Sequence, residues 1–170
     1  MRSSARMAGH AIHPMLIAFP LGLLTTAVIF DVVYLATDKV SFAVAAAYAI
    51  GAGVIGGLIA AIPGWIDWMK IPAGTRAKRI GLVHGAGNIV VTALFALSWF
   101  LRSNATGWEP DVWSLVCSFA GVALAGTTAW LGGELVERLG VGVDEDANLN
   151  APSSLSNRPP GDGAVPYSSR

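Results

Sequence analysis

Residues 41–66 read SFAVAAAYAIGAGVIGGLIAAIPGWI, a run without a single Asp, Glu, Lys or Arg. A helix of about 20 residues crosses the hydrocarbon core of a bilayer, which is about 30 Å thick. Three more stretches share this length and apolar character, so the chain has four predicted spans, at residues 14–36, 41–66, 80–101 and 112–133. The only Asp, Glu, Lys or Arg within them is Asp31.

The composition of the chain also indicates a membrane protein. Of the 170 residues, 54% are hydrophobic and only 13% are charged, whereas about 25% of the residues of a soluble domain are charged. The chain has too few polar side chains to cover a soluble core, so its partner is the lipid bilayer. A bilayer offers backbone N–H and C=O groups no water, and a helix pairs these groups internally. The sequence therefore predicts an all-α integral membrane protein.

The connections between the spans predict their arrangement. They are short, which makes neighbouring helices antiparallel and gives an up-down-up-down four-helix bundle. We divide the chain into an N-terminal segment (1–13), a four-helix membrane domain (14–140) and a C-terminal tail (141–170). The tail is rich in Asn, Ser, Pro and Gly, so it buries too little apolar surface to offset the entropy lost on ordering. We expect a disordered tail.

The basic residues predict the orientation of the bundle, because cytoplasmic loops are enriched in Lys and Arg. Two of the 11 basic residues, Lys39 and Arg102, flank the ends of the helices opposite the termini. The other nine lie on the side of both termini: Arg2, Arg6, Lys70, Arg76, Lys78, Arg79, Arg138, Arg158 and Arg170. We therefore predict that both termini and the tail are cytoplasmic.

Several classes of function are excluded or unsupported by the sequence. The net charge of zero gives no basic surface for nucleic acid. A single cysteine, Cys117, excludes a disulfide or an all-cysteine metal centre within the chain. Phosphate-binding loops, serine nucleophile elbows and zinc-protease motifs are absent from the sequence. We therefore assign no catalytic residue and do not expect an enzyme.

Glycines spaced by four residues mark close contacts between helices in membranes. Gly81 and Gly85 have this spacing at the start of the third span. We favour packing inside the bundle as their role, and a homo-oligomer seam is the alternative.

One end of the predicted bundle collects polar side chains, because the first and third spans begin where the second and fourth end. Three hypotheses account for this cluster. His84, with His13 or His10, could ligate one b-type haem, with Asn88 or Asp67 orienting an imidazole. A divalent metal could instead be bound by His10, His13, Asp67 and His84. The same groups could also simply cap helices and bond each other.

Asp31 is the one acidic residue inside a span. It follows His13 by 18 residues, about 27 Å along a helix, so it lies near the opposite membrane surface. Arg102 falls in the predicted loop 102–111, and the other spans contain no basic residue. We therefore expect Asp31 to make a hydrogen bond at the interface, with a proton relay as the alternative.

Four motifs together resemble a bacterial inner-membrane family, the domain of unknown function family 2231. They are HPMLIAFPLG (13–22), PGWIDW (63–68), His84 with Asn88, and WLGGEL (130–135) followed by GVGV (140–143). The likeness spans about residues 10–143 and implies four transmembrane helices. Its motifs add the following residues to the polar end: Trp68, Gly132, Gly133 and Glu134.

The resemblance also implies a redox neighbourhood, because similar domains occur fused ahead of Rieske-type iron–sulfur domains. A Rieske cluster needs two cysteines and this chain has one, so a redox partner would be a separate protein. We predict an accessory redox or b-haem-binding subunit of the bacterial inner membrane, with His13, His84 and Asn88 at its site. The alternatives are a divalent-metal-binding membrane protein and a cofactor-free structural or assembly protein.

Overall fold

The computed structural model describes residues 1–156 and 158–163, so Arg170 and the end of the predicted tail lie outside the described residues. Four long helices dominate the fold, and each is long and apolar enough to cross a membrane. They are α1 (Ile12–Thr37), α2 (Val40–Lys70), α3 (Arg76–Ser103) and α4 (Val112–Gly133). The prediction of an all-α four-helix membrane architecture is confirmed.

The helices pack in the order in which the chain connects them. α1 lies along α2, α2 along α3, and α3 along α4. Their shared core consists mainly of small and medium side chains: Leu24, Ala27, Val28, Ala46, Ala49, Ile50, Val91, Phe95 and Ala125. Small side chains let helix backbones approach closely, which drives helix association where lipid removes the hydrophobic force between helices.

Large apolar side chains face outward instead. Ile89 is 67% exposed and Trp113 is 69% exposed, and many other large apolar residues of the four helices are similarly accessible. A soluble monomer rarely exposes apolar surface on this scale. The outer surface of the bundle therefore fits hydrocarbon rather than water.

Local sequence signals set the helix ends. The hydroxyl of Thr75 accepts a hydrogen bond from the backbone N–H of Lys78 and begins α3. The carboxylate of Asp111 accepts one from the N–H of Ser114, at 2.7 Å, and begins α4. Both are favoured N-cap residues because their oxygens satisfy N–H groups that lack helical partners. α1 ends at Thr37, and the next residue, Asp38, has a left-handed φ of 53° that turns the chain into α2.

The N-terminal segment forms a short hairpin of β1 (Arg6–Met7) and β2 (His10–Ala11), which the sequence did not indicate. Asp67, near the end of α2, holds this segment in place. Its carboxylate accepts hydrogen bonds from the Ser3 hydroxyl at 2.7 Å and from the backbone N–H groups of Ser4 and Ala5 at 2.7 and 3.1 Å. Asp67 thus anchors the chain before it enters α1.

The C-terminal tail contains turns but neither helix nor strand in residues 141–156 and 158–163. Asp144 connects it to the N-terminal segment through Arg6, at 2.6 Å, and Arg2, at 2.9 Å. The hydrogen bond and charge of Arg6, together with the charge of Arg2, hold the pKa of Asp144 below its ordinary value. The contact between Asp144 and the two arginines is therefore fully present above the ordinary pKa of an aspartate. It is lost as the pH falls through the lowered pKa.

We predict that Asp144 makes the position of the tail depend on pH. A spin label is attached at Leu149→Cys, an exposed position, in a chain that also carries Cys117→Ala. The motion of this label will be restricted at neutral pH. The label will become mobile as the pH falls through the lowered pKa of Asp144, where the carboxylate takes up a proton and loses its pairing with Arg6 and Arg2. Asp144→Asn will free the label already at pH 7, and Glu145→Gln will not. Equal mobility of the label in all three chains would contradict the contact.

Close helix packing at Gly53 gives a second prediction. A Cβ built on Gly53 would lie 2.6 Å from Leu24 Cδ2, whereas one on Gly126 has no atom within 4 Å. Gly53→Ala will therefore lower the melting midpoint of the detergent-solubilised chain, with overpacking costing about 1–3 kcal/mol. Gly126→Ala is the matched control and will raise or preserve the midpoint, because Ala favours helix. Equal midpoints for the two variants would refute this packing.

Candidate functional site

His13 and His84 meet in the bundle, at the end where the chain enters α1 and α3, which we call the histidine end. Their ring centroids are 6.3 Å apart and their planes are nearly perpendicular, at 87°. His13 lies in the first turn of α1, beside Pro14, and His84 lies about two turns into α3. The fold therefore brings together two histidines that are far apart in the sequence.

Each histidine is held by a backbone carbonyl of the helix that packs beside it. Nδ1 of His13 donates to the Ala60 carbonyl of α2, at 2.8 Å. Nδ1 of His84 donates to the Thr128 carbonyl of α4, also at 2.8 Å. Because a carbonyl only accepts hydrogen bonds, the proton of each neutral imidazole lies on Nδ1. Both Nε2 atoms are then unprotonated and carry a lone pair, which is the form that binds a metal.

A glycine makes room for each ring. Gly64 lies one helical turn after Ala60, and a Cβ built on it would lie 2.7 Å from His13 Nδ1. Gly132 lies one turn after Thr128, and its Cβ would lie 3.1 Å from His84 Cε1. Any larger residue at Gly64 would push the imidazole away from its carbonyl.

Asn88 and Thr128 complete the surroundings of His84. The amide of Asn88 donates to His84 Nε2 at 3.2 Å and to the His84 carbonyl at 3.0 Å. The Thr128 hydroxyl donates to Asn88 Oδ1 at 3.0 Å. Among the described residues, the structure gives Nε2 of His13 no hydrogen-bond partner. The two imidazoles therefore differ in whether Nε2 is engaged.

His10 and Asp67 lie apart from this pair. His10 is exposed in the hairpin, where its Nδ1 bonds the Ala8 carbonyl at 3.2 Å. Asp67 is engaged by the backbone and side chain of the N-terminal segment. Within residues 1–156 and 158–163, no group of three His, Cys, Asp or Glu side chains is placed to hold a metal ion. The structure thus brings together two members of the four-residue metal set predicted from sequence.

The remaining motif residues join helix ends around the histidines. The Trp68 indole donates to the Lys78 carbonyl at 3.1 Å, and the Lys78 ammonium lies 3.9 Å above the indole ring. Glu134 pairs with Arg76 at 2.7 Å. Gly133 has open space where a Cβ would lie. Trp68 and Glu134 therefore link α2 to α3 and α3 to the end of α4.

Asp31 and Arg102 form an ion pair that our sequence reasoning missed. We expected Asp31 to bond at an interface, without a basic partner, and placed Arg102 in a loop. α3 instead continues through Ser103. The fully buried Arg102 guanidinium donates to both oxygens of the fully buried Asp31 carboxylate, at 2.6 and 2.7 Å.

The physical reason for this correction is charge burial. A carboxylate inside a helix bundle is stable when a paired charge and hydrogen bonds replace its water. Ser98 and Ser118 accept further hydrogen bonds from the guanidinium, at 3.2 and 3.1 Å. The sequence held one signal for this pair: Asp31 follows His13, and Arg102 follows His84, by the same 18 positions.

A family model described as a predicted membrane protein (DUF2231) matches residues 9–145, which cover all four helices and the polar end. The family resemblance drawn from the motifs is confirmed. No curated protein and no solved structure matches the chain.

We predict that removing one partner of the buried ion pair destabilises the chain. Arg102→Gln leaves Asp31 without its charge partner, and breaking a buried pair in this way costs about 3–5 kcal/mol. The variant will therefore unfold at a lower temperature and denaturant concentration in detergent. Arg79→Gln, which removes an exposed arginine of the same helix, is the control and will leave unfolding unchanged. Similar unfolding of both variants would contradict the burial of Asp31 as a charge that needs its partner.

Proposed function

Because the chain belongs to the DUF2231 family of predicted membrane proteins, we propose that it is an accessory membrane subunit that binds one b-type haem between His13 and His84. The observation that carries this proposal is the geometry of the two imidazoles. Each is fixed by an Nδ1–H bond to a backbone carbonyl, the arrangement that sets the tautomer and orientation of ligating histidines. The two residues supply Nε2 atoms from two different helices.

The spacing of the rings agrees with this role. The ring centroids of His13 and His84 lie 6.3 Å apart, so the two residues would be near enough to hold one group between them. Asn88 must release His84 Nε2 for ligation, and its amide keeps a second acceptor in the His84 carbonyl. The Thr128 hydroxyl holds the other end of this amide.

A bound haem would supply one-electron redox chemistry. The chain itself would bind and orient this group and keep it inside the membrane domain. With one cysteine, the chain cannot hold a Rieske cluster, so we propose a separate redox protein as the electron partner. The excess of basic residues near the termini favours a cytoplasmic histidine end in a bacterial inner membrane.

A cofactor-free structural role is the second candidate, and a specific observation favours it. Among the described residues, no buried side-chain nitrogen or oxygen lacks a hydrogen-bond partner. His84, Asn88 and Thr128 already satisfy one another. The divalent-metal alternative stays a prediction, and its residues His10 and Asp67 have other partners.

An absorbance spectrum of the purified chain tests the haem proposal. Protein produced with ample haem is measured oxidised and dithionite-reduced, beside His13→Ala, His84→Ala and the control His10→Ala. We expect a Soret band with sharp reduced α and β peaks, lost in the first two variants and kept in the third. A featureless spectrum from folded protein would refute the proposal and leave metal analysis as the next measurement.

Asn88→Ala distinguishes the two candidates further. If His84 is a haem ligand, removing the competing amide leaves the spectrum in place. If the histidine end is purely structural, the variant shows no haem and melts at a lower temperature, because a buried hydrogen-bond network has lost its centre.

A further inference from the structure

We infer that the chain consists of two equivalent helical hairpins, α1–α2 and α3–α4, related by a two-fold axis along the bundle. We further infer that Asp31 and Arg102 are a positioning pair on that axis, which turns His13 and His84 toward each other. This inference concerns the protein without any cofactor, so it does not depend on haem binding.

The contacts of the histidine end occur once in each hairpin. Each hairpin has a histidine on its first helix, a carbonyl on its second helix that accepts from Nδ1 at 2.8 Å, and a glycine one turn later against the ring. These trios are His13, Ala60 and Gly64 in the first hairpin, and His84, Thr128 and Gly132 in the second. Equivalent residues are 71 positions apart between α1 and α3, and 68 positions apart between α2 and α4.

Residues halfway along the two hairpins are related by the same differences in residue number. A Cβ on Gly53 of α2 would lie 2.6 Å from Leu24 of α1, and a Cβ on Gly121 of α4 would lie 2.8 Å from Phe95 of α3. Leu24 and Phe95 occupy equivalent positions, and so do Gly53 and Gly121. A close approach of the two helices is therefore built in the same way in both halves.

Burial follows the same correspondence along whole helices. Every buried residue of α3 has a buried equivalent in α1: Val91, Phe95, Ser98 and Arg102 correspond to Pro20, Leu24, Ala27 and Asp31. Five of the six buried residues of α4 have buried equivalents in α2: Ser114, Cys117, Ser118, Gly121 and Thr128 correspond to Ala46, Ala49, Ile50, Gly53 and Ala60.

Residues that contact their own equivalents lie on the symmetry axis. His84 is the equivalent of His13, and the two rings are in contact distance. Arg102 is the equivalent of Asp31, 71 positions away, and the two side chains form the buried ion pair. In each helix, the 18 positions between histidine and charge make five turns at about 3.6 residues per turn. The histidine and the charged residue therefore share one helix face.

The sign of the charge is where the two hairpins differ. A pair of identical hairpins would bring two carboxylates or two guanidinium groups together, and like charges repel strongly in a low dielectric. Ser98 and Ser118 bond the guanidinium, while Ala27 and Ile50 stand at the equivalent positions of the first hairpin. The bidentate contact fixes the rotation of α1 against α3, and the histidines five turns away rotate with their helices.

A swap between the halves tests their equivalence. Asp31→Arg alone places two arginines on the axis, and we expect a loss of roughly 10 °C in melting midpoint or no folded protein. Adding Arg102→Asp restores part of the loss. Exchanging the flanking residues as well restores the rest, through Ala27→Ser, Ser98→Ala, Ile50→Ser and Ser118→Ile. A six-fold variant that melts no better than Asp31→Arg would overturn the equivalence.

An apolar replacement separates positioning from stability. Asp31→Leu with Arg102→Met removes both charges together, which keeps a bundle stable because no charge is left unpaired. The readout is the ¹⁵N spectrum of the imidazoles, since the chain has only three histidines and Nδ1 protonation gives a distinct pair of nitrogen signals. We expect this variant to melt near wild type while the signals of His13 and His84 shift toward a mixture of tautomers.

An exposed charge change on α3 serves as the control for this spectrum. Arg79→Asp, an exposed charge change on α3, will leave the histidine signals as in the wild type. Unchanged signals in the apolar double variant would overturn the positioning role, whatever its melting midpoint. The measurement uses protein without haem, so a failed haem spectrum and a failed positioning test remain distinguishable.

Discussion

A carboxylate and a guanidinium buried among four apolar helices must contact each other, because neither can be hydrated there. Asp31 and Arg102 do so with two charge-assisted hydrogen bonds. The hydroxyls of Ser98 and Ser118 accept further hydrogen bonds from the guanidinium. Removing the partner would leave a charge in a medium that cannot solvate it. This constraint joins α1 to α3, two helices that are not neighbours along the chain.

The histidine end follows from that constraint and from small residues. Five helical turns separate each charge from the histidine on the same helix, so the rotation that pairs the charges also brings the rings to 6.3 Å. Gly64 and Gly132 allow each imidazole to reach a backbone carbonyl of the neighbouring helix. Two histidines with fixed tautomers are the result, and they supply the chemistry on which the haem proposal depends.

The fold and the main residues of the site are predictable from the sequence for different reasons. Four uninterrupted apolar runs predict four helices, because length and the absence of charge suffice for that conclusion. His84 and Asn88 were expected to turn inward, since lipid cannot satisfy them. The grouping of His10 and Asp67 with them came from topology alone, which identifies an end of the bundle but not which side chains meet there. The N-terminal hairpin, which engages Asp67, has no signal in the hydrophobic pattern.

The sequence by itself determined that this chain is a four-helix membrane protein of its family, because hydropathy, helix length and motif residues are local properties. The ion pair was decided by tertiary structure, because the apolar run of the third span ends before Arg102, whereas α3 continues past it and buries the guanidinium. The pairing of His13 with His84 was decided in the same way, since it depends on the rotation of two helices that are distant in sequence. Contacts between such helices are set by packing and by charge pairing in a low dielectric, and neither is written in any single stretch of the chain.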